Sequence, residues 1–228
     1  MRWEAVLLLR ESLFSAILPA VTSEAGPNAR DAAAAAVRDH LRLLGEFVRQ
    51  PARTGAVAPS SRWLAEKLVS GIDLESAETV VELGPGTGPF TRLIADRARP
   101  EALILAVELN TRLAEELVDR FPRVRIINDS AERLPRHLEA LGRPQADCVL
   151  SGLPFAAFDE ELQKRLVGAV VASLRPGGRF ATFSYLQAAW LPTGRRFRRM
   201  LESGFTKVAS SPVEWRNLPP AFVYHCSK

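Results

Sequence analysis

Residues 79–90 read TVVELGPGTGPF, and the rest of the chain is organised around this stretch. The β-branched residues 79–81 predict a buried strand that ends in a cluster of glycine and proline. Three glycines in five residues, Gly84, Gly86 and Gly88, let the backbone turn with positive φ and approach a ligand closely. The sequence turns helical immediately afterwards, so free N–H groups of the first helical turn face that ligand.

A second apolar run, ALILAVEL, ends at Glu108, twenty residues after Gly88. An acidic side chain at the end of that strand can accept hydrogen bonds from both hydroxyls of a ribose. Dinucleotide folds use G-x-G-x-x-G, whose N–H groups hold a pyrophosphate. The G-x-G-x-G spelling here departs from that pattern. The alternatives are a glycine-rich structural turn or another nucleotide.

The spelling ELGPGTG resembles motif I of the class I S-adenosylmethionine-dependent methyltransferases. The resemblance implies an α/β, Rossmann-like fold, with a mostly parallel seven-stranded sheet, helices on both faces and a C-terminal antiparallel hairpin. It implies S-adenosyl-L-methionine as cofactor and S-adenosyl-L-homocysteine as product. The residues expected to bind the cofactor are Glu82, Gly84, Gly86, Thr87, Gly88, Glu108, Leu109, Asp129, Ser130 and Ala131.

Within this set, Asp129 to Ala131 follow a predicted third strand at residues 124–127. In enzymes of this superfamily an acid at that point accepts the adenine amino group, and the backbone after it reads ring nitrogens. The alternative is that Asp129 or Ser130 caps the following helical turn.

A fourth strand, residues 146–150, leads into the sequence SGLPF at residues 151–155. This resembles motif IV, which lies beside the reactive methyl group and reads N-L-P-Y/F or N/D-P-P-Y in enzymes that methylate adenine or glutamine amines. Ser151 stands in place of Asn or Asp, which counts against an adenine substrate. Beyond it we expect a helix at 159–174, a tight turn at 175–179 and a fifth strand at 180–185.

Length and composition predict an ordinary globular protein of one or one-and-a-half domains, with ample chain for a large core. The 228 residues are 47% apolar and 25% charged, with a formal net charge of +4 and a pI near 9.5. The basic excess is mostly arginine and suits phosphate-bearing partners. Cys148 and Cys226 have no metal-ligand spacing, so we expect reduced core thiols, a cytoplasmic protein and no metal.

The N-terminal sequence predicts a helical extension over residues 1–36, preceding a methyltransferase domain over 37–228. Charged residues interrupt the apolar stretch within residues 1–18, which therefore fits neither a signal peptide nor a transmembrane helix. An amphipathic helix fits it better, lying on a membrane, on a partner chain or on the main domain. Further on, Ser60 or Ser61 is expected to cap a helix that runs to about Ser70.

The C-terminal third carries an arginine cluster and a predicted hairpin. The sequence TGRRFRRM predicts a helix with Arg195, Arg196, Arg198 and Arg199 around an aromatic residue. These arginines form either a solvated face or a surface for an anionic partner, lipid or RNA. Residues 204–214 and 221–225 are expected to form the closing antiparallel strands.

Several short elements resemble one narrower family, the bacterial phospholipid N-methyltransferases. They are GAVAPSS, VELN, SGLPF and NLPPA, at residues 55–61, 107–110, 151–155 and 217–221. The resemblance implies stepwise methylation of the amine of phosphatidylethanolamine towards phosphatidylcholine. It also implies transient, peripheral contact with the anionic inner face of the membrane. The alternatives are an RNA adenine N6-methyltransferase, for which no added RNA-binding domain is visible, and a catalytically idle binding protein.

For this reaction the expected catalytic residues are Ser151, Gly152 and Tyr185, of which the first two would orient the amine. The expected substrate-binding residues are Phe155, Tyr185, Arg216 and Asn217. The rings would enclose the amine and its cationic products. Arg216 would pair with the headgroup phosphate, unless it forms a structural ion pair instead.

Overall fold

The computed structural model describes residues 61–228. The predicted extension over residues 1–36 and the predicted domain start at residue 37 lie outside this range. Seven strands form one sheet: β1 (Thr79–Leu83), β2 (Leu103–Glu108), β3 (Arg125–Asn128), β4 (Ala146–Ser151), β5 (Leu174–Tyr185), β6 (Lys207–Ser210) and β7 (Ala221–Ser227).

Helices connect the strands and cover the sheet. They are α1 (Arg62–Ser70), α2 (Pro89–Arg97), α3 (Thr111–Arg120), α4 (Leu134–Ala140), α5 (Glu160–Ser173), α6 (Leu186–Ala189) and α7 (Pro192–Gly204). Short 3-10 turns lie at Ala131–Arg133 and Phe155–Ala157. The predicted capping serine is Ser61, whose hydroxyl accepts from the Leu64 N–H at 3.2 Å.

The strand order is β3-β2-β1-β4-β5-β7-β6. Strands β1 to β5 are parallel to one another, whereas β7 is antiparallel to both β5 and β6. This confirms the predicted fold, a mostly parallel sheet closed by an antiparallel hairpin. All five residues of β1 are buried, as expected for a central strand with both faces covered.

Two local predictions differ from the structure. The expected turn at residues 175–179 lies inside β5 as an irregularity, because Leu174 pairs with Ala146 while Arg179 pairs with Cys148. The C-terminal Lys228 holds this bend, donating its N–H to the Gly178 carbonyl at 3.0 Å and accepting from Gly177. The other difference is β6, which spans only Lys207–Ser210 instead of the expected 204–214. Beyond Ser210, regular pairing with β7 gives way to single contacts, from the Ser211 N–H to the Val223 carbonyl and between Glu214 and Ala221.

The topology brings the candidate site together at one edge of the sheet. Because β1 to β5 are parallel, their carboxyl ends lie along the same edge, which we call the carboxyl edge. The chain leaves β1 on one side towards β2 and β3, and returns on its other side as β4. Such a switch point opens a crevice beside the ends of the central strands, where α/β folds bind their ligands.

Candidate active site

The glycine loop after β1 is a tight turn with open space above it. Gly84, Gly86 and Gly88 all have positive φ, at 66°, 58° and 82°. A side chain at Gly84 or Gly88 would strike neighbouring atoms, those of Leu153 at 2.5 Å or Phe121 at 2.7 Å. Among residues 61–228, a Cβ at Gly86 would meet nothing within 4 Å, so the loop presents bare backbone on this side. Close ligand approach requires this arrangement.

Glu108, at the end of β2, reaches back to this loop. Its Oε2 accepts from the Gly86 N–H at 3.0 Å, and its Oε1 accepts from the Asn110 N–H at 2.9 Å. Burial raises the pKa of Glu108, and these N–H donors partly offset the rise. Each carboxylate oxygen has a further lone pair, so the pair of oxygens can accept two ligand hydroxyls.

Glu82 lies beneath the loop and is fully buried in β1. Its carboxylate oxygens and the nearby Thr91 hydroxyl have no hydrogen-bond partner of ordinary geometry within residues 61–228. Desolvation raises the pKa of Glu82 to about 8, since the hydroxyl and N–H of Thr91 offset only part of it and the Glu108 charge adds to it. An orphaned buried acid beside a ligand crevice is a common sign of a functional site.

These features fit a nucleoside cofactor bound at the carboxyl edge. The backbone at Gly86 leaves room for it, Glu108 offers acceptors for a ribose diol, and the N-terminal turn of α2 points N–H groups into the same region. Glu82 supplies an unsatisfied acceptor below them. Thr87 is exposed at the tip of the loop, and its carbonyl accepts from Arg120 at 2.8 Å.

Asp129 follows β3 at the same edge and already has three partners. Its carboxylate accepts from the Ser130 N–H at 2.7 Å and from Arg133 at 2.9 Å, and it lies 2.9 Å from Nε2 of His137. Although burial raises the pKa of Asp129, the Ser130 N–H and the Arg133 charge bring it below its usual value. Asp129 is therefore an ionised acceptor, and its contact with adenine stays a prediction.

Ser130 and Ala131 form the turn after this acid. The Ser130 hydroxyl accepts from the Glu132 N–H at 3.4 Å, as the alternative interpretation as a helical cap expected. Ala131 is buried at the start of the 3-10 turn, while Leu109, after β2, is exposed. The ends of β1, β2 and β3 thus lie at the same edge of the sheet, together with the Leu109 side chain and the Asp129 carboxylate.

The SGLPF sequence packs directly against the glycine loop. The Gly152 N–H donates to the Leu83 carbonyl at 2.8 Å, and a Cβ at Gly152 would lie 2.5 Å from the Gly84 carbonyl oxygen. Ser151 is fully buried, and its hydroxyl accepts from the Leu153 N–H at 3.1 Å. The Ser151 side chain therefore shapes the turn. Of the two predicted catalytic residues in this turn, Gly152 is the better placed to meet a substrate.

Tyr185 ends β5 at the carboxyl edge and is partly exposed. Its ring packs edge to face on Phe183 with centroids 5.3 Å apart. Burial raises the pKa of the Tyr185 phenol to about 12, so the phenol stays protonated at neutral pH. It can present an aromatic face and a neutral hydroxyl to a substrate, and it cannot serve as a general base there.

Phe155 lies in the core and does not line the crevice, which corrects its assignment to the substrate. It is 1% exposed, stacks on Phe197 at 4.4 Å and packs edge to face on Phe158 and Phe180. The 3-10 turn at Phe155–Ala157 directs the ring inward, between the sheet and α7. Burial in this aromatic cluster leaves no ring face for an amine.

Arg216 and Asn217 lie in the loop before β7 and have structural partners. Arg216 forms a bidentate ion pair with Glu214, at 2.8 and 3.2 Å, and stacks over the Trp63 ring at 3.9 Å. Asn217 is buried, accepts from the Ser61 N–H at 3.0 Å and donates to the Pro219 carbonyl at 2.7 Å. The oxygen and the nitrogen of the Asn217 side-chain amide both have partners in the chain, which corrects its assignment as a headgroup ligand. Phosphate binding by Arg216 stays a prediction. In the structure, Arg216 is paired with Glu214.

The four arginines of the α7 cluster differ in whether they form ion pairs. Arg196 pairs with Glu160 at 3.7 Å and Arg198 with Glu202 at 2.8 Å. Within residues 61–228, Arg195 and Arg199 are exposed and have no ion pair. A free positive charge therefore remains at two of the four positions.

Sequence reasoning missed several residues that hold the site in shape. Asn128 donates to the Glu108 carbonyl at 2.8 Å, and Asn110 both caps α3 and donates its N–H to the Glu108 side chain. Leu153 packs on Gly84, and Arg133 and His137 surround the acid after β3. Asn110, two residues after the strand-terminal acid, was a usable signal, because asparagine is a preferred helix cap.

The part of the chain that the structure describes contains neither a membrane-spanning helix nor a cluster of metal ligands. No helix there is long and apolar enough to cross a membrane. No group of three or more His, Cys, Asp or Glu side chains in that part is arranged to hold a metal ion.

Comparisons with known proteins agree with this geometry. A family model described as a methyltransferase domain matches residues 80–178. An ornithine lipid N-methyltransferase from Singulisphaera acidiphila is 36% identical over 193 residues, covering 83% of this chain and 96% of that protein. The ribosomal RNA small subunit methyltransferase A of Acidobacterium capsulatum is 38% identical over 99 residues, covering 42% of this chain and 33% of the relative.

The fold has a similar counterpart among solved structures. A Burkholderia thailandensis 1,6-didemethyltoxoflavin-N1-methyltransferase, crystallised with S-adenosylhomocysteine, superposes with a TM-score of 0.61 at 16% identity, covering 90% of this chain and 93% of the other. Together with the methyltransferase family match, this gives S-adenosyl-L-methionine as the cofactor of the chain. By its fold and its similarity over nearly a whole relative, the chain belongs to the lipid N-methyltransferase family of the class I S-adenosylmethionine-dependent methyltransferases.

Proposed function

We propose that the protein methylates the primary amine of a membrane lipid headgroup. The observation that carries the proposal is the extent of the similarity. The chain aligns with 96% of a lipid N-methyltransferase, but with only 33% of the RNA methyltransferase. Similarity to the RNA enzyme is therefore limited to a shorter segment, whereas the lipid enzyme matches through the regions that must receive the substrate.

The cofactor side of the site follows from the described contacts. When bound, S-adenosyl-L-methionine supplies an electrophilic methyl group. Glu108 would hold the ribose hydroxyls, the bare backbone at Gly86 would admit the nucleoside, and Asp129 would accept from the adenine amino group. Glu108 and Asp129 would thus position the cofactor by accepting its hydrogen bonds, whereas Gly86 contributes space.

The acceptor side lies between the Gly84–Gly152 contact and Tyr185. A lipid amine must lose a proton before it can react, since only the neutral nitrogen has a lone pair. Tyr185 stays protonated, so the proton would leave to water, while a backbone carbonyl could accept a hydrogen bond from the amine and orient it. The chain's main contribution is then positioning and exclusion of water, which can supply on the order of 7–11 kcal/mol of a barrier. The Tyr185 ring would stabilise the cationic product.

Two headgroups are candidates. An ornithine headgroup is favoured by the relative that aligns over nearly its whole length. Phosphatidylethanolamine is favoured by the GAVAPSS, SGLPF and NLPPA elements, with Arg216 as its phosphate ligand. Because Glu214 already occupies Arg216 through two hydrogen bonds, we place the ornithine headgroup first. Either substrate implies transient attachment to the inner face of the membrane.

The test is a methyl-transfer assay with labelled S-adenosyl-L-methionine and the full chain. Parallel reactions contain vesicles with ornithine lipid, vesicles with phosphatidylethanolamine, and structured RNA. We expect label in the ornithine lipid, with mono-, di- and trimethylated products resolved by chromatography. Label only in phosphatidylethanolamine would reverse the order of the two headgroups. Label only in RNA, or in no substrate despite cofactor binding, would refute the proposal.

A further inference from the structure

The exposed apolar side chains of this protein are concentrated at one edge. Within residues 61–228 there are seven large exposed hydrophobic residues, and all except Val118 lie at or beside the carboxyl edge. Leu109 belongs to the cofactor crevice. The other five, with their exposed fractions, are Trp63 (39%), Trp190 (69%), Leu191 (42%), Trp215 (70%) and Leu218 (68%). We call these five residues the tryptophan rim.

Chain connections place the rim beside the acceptor side of the site. Trp190 and Leu191 follow β5 and the short helix α6, while Trp215 and Leu218 lie in the loop that precedes β7. These segments meet because β7 is antiparallel and begins opposite Tyr185. Two hydrogen bonds tie them together: the Leu186 N–H donates to the Pro220 carbonyl at 2.9 Å, and the Ser61 N–H donates to Asn217.

The rim has the mixed chemistry of a membrane-interface surface. Tryptophan combines a large apolar ring with one N–H donor and is enriched where hydrocarbon meets headgroups. The Arg62 and Arg216 guanidinium groups lie over the Trp63 ring, at 4.9 and 3.9 Å from its centroid. Arg62 and Arg195 have no ion pair among residues 61–228 and flank the rim. Such arginines can reach anionic headgroups while the rings insert deeper.

Solvent exposure of three large rings at one edge also needs a reason. A protein gains nothing by leaving such rings in water, and clustered exposed apolar residues usually mark an interaction surface. The carboxyl edge is where a lipid amine must arrive, and a headgroup cannot reach it unless this edge faces the bilayer.

We propose that the tryptophan rim inserts into the headgroup region of an anionic membrane and holds the carboxyl edge against the bilayer. This inference rests on the proposed lipid substrate, but it concerns a surface separate from the cofactor contacts. It assigns membrane attachment chiefly to apolar insertion at the rim, and a lesser part to the arginines of α7.

Tryptophan fluorescence gives a direct test, because three of the four tryptophans in the chain belong to the rim. The substitution Trp3→Phe in the full chain removes the fourth. The probe is a set of vesicles of phosphatidylglycerol and phosphatidylcholine whose acyl chains carry bromine, which quenches only tryptophans that enter the bilayer. We expect strong quenching in Trp3→Phe, and only the weaker share from Trp63 when Trp190 and Trp215 are also replaced by phenylalanine.

Vesicle partitioning gives a second measurement. Trp190→Ala combined with Trp215→Ala removes two rings of 150–250 Å² each, so the partition coefficient should fall at least roughly tenfold. Val118→Ala is the matched control, because it removes an exposed apolar side chain that lies two turns along α3, away from the rim. The control should partition like the parent chain. Thermal unfolding and cofactor calorimetry verify that both variants are folded.

Three outcomes would separate membrane insertion of the rim from the alternatives. Vesicle binding without bromine quenching would overturn the proposal, because another surface would then carry the attachment. Low quenching by acrylamide in the free protein, together with no response to vesicles, would also overturn it, because the chain itself or a second copy would cover the rim. Bromine quenching in a protein that methylates no lipid would support the rim as a membrane surface and refute the proposed function.

Discussion

The two halves of the sheet meet at one edge but depend on different kinds of contact. In the cofactor half, which we define as residues 79–131, the predicted groups lie at or within a few residues of strand ends and act largely through backbone and acids. In the acceptor half, residues 146–228, several predicted groups have become structural: Phe155 is in the aromatic core and Asn217 ties the loop before β7 to Ser61. Function is thus encoded locally in one half and assembled from distant segments in the other.

The difference between the two halves has a physical origin. A glycine loop needs only its own φ angles and open space, and Glu108 finds its N–H partners at Gly86 and at the adjacent Asn110. In contrast, the side chains around the acceptor site compete for partners that arrive from far along the chain. Glu214, for example, takes up Arg216. Predictions follow for each half, in order of expected effect.

The largest effect is expected from Glu108→Ala in the cofactor half. The substitution removes two charge-assisted acceptors for ribose hydroxyls, each worth about 1.5–3 kcal/mol, so cofactor affinity should fall more than roughly a hundredfold. Isothermal titration calorimetry measures it. Glu116→Ala, an exposed acid on α3 paired with Arg112, is the matched control. Unchanged affinity in Glu108→Ala would remove this residue from the cofactor site.

A smaller but still large effect should come from Gly152→Ala, at the junction of the two halves. Its new Cβ would lie 2.5 Å from the Gly84 carbonyl oxygen, so the two loops must separate, at a cost of about 1–3 kcal/mol in the free energy of unfolding and a marked loss of methyl transfer. Gly168→Ala, in an exposed position on α5 with open space, is the control. It should stabilise the chain by about 0.5–1 kcal/mol. Urea unfolding compares them, and equal stabilities would show that the loops do not touch.

The pH dependence of stability should have opposite signs in the two halves. Burial raises the pKa of Glu82 to about 8, so the native state holds a proton that the unfolded chain releases above about 4.5, and stability falls as pH rises between these values. The hydrogen bond from Arg216 lowers the pKa of Glu214 to about 2, so its stabilisation is lost as pH falls from about 4.5 towards 2.

Paired variants measure these two windows. Glu82→Gln should flatten the urea-unfolding free energy between pH 5 and pH 8, by up to about 1.4 kcal/mol per unit of pKa difference. Glu214→Gln should leave that window unchanged and flatten the acid limb below about pH 4.5. If Glu82→Gln left the neutral limb as steep as in the parent, the buried acid would not titrate there.

The smallest effect is expected from charge reversal on α7. Arg195→Glu with Arg199→Glu alters the two arginines that lack ion pairs within residues 61–228, and each reversal should weaken binding to anionic vesicles by about 1 kcal/mol or more at low salt. Cofactor affinity should not change. The double variant Arg196→Glu with Arg198→Glu should have less effect, because these two arginines already pair with Glu160 and Glu202. Equal vesicle binding by all variants would make this face a solvated surface only.

Most of the fold could be predicted from the sequence because its signals are local. Buried strands show as β-branched runs, and the cap at Ser61 and the glycine turn after β1 follow from residue types alone. The errors lie where distant chain intervenes. The expected turn at 175–179 became part of β5 because the C-terminal Lys228 pairs with it, a contact between residues about fifty apart.

The sequence by itself determined the α/β alternation, the glycine loop at Gly84–Gly88 and the place of Glu108 at a strand end, since each follows from residue types within a short segment. Only the tertiary structure decided that Phe155 is core, that Asn217 is a tether and that the tryptophans of the rim share one edge. The physical reason is that backbone geometry is a property of a short segment. Burial and pairing of a side chain, in contrast, depend on which distant segments the sheet topology brings beside it.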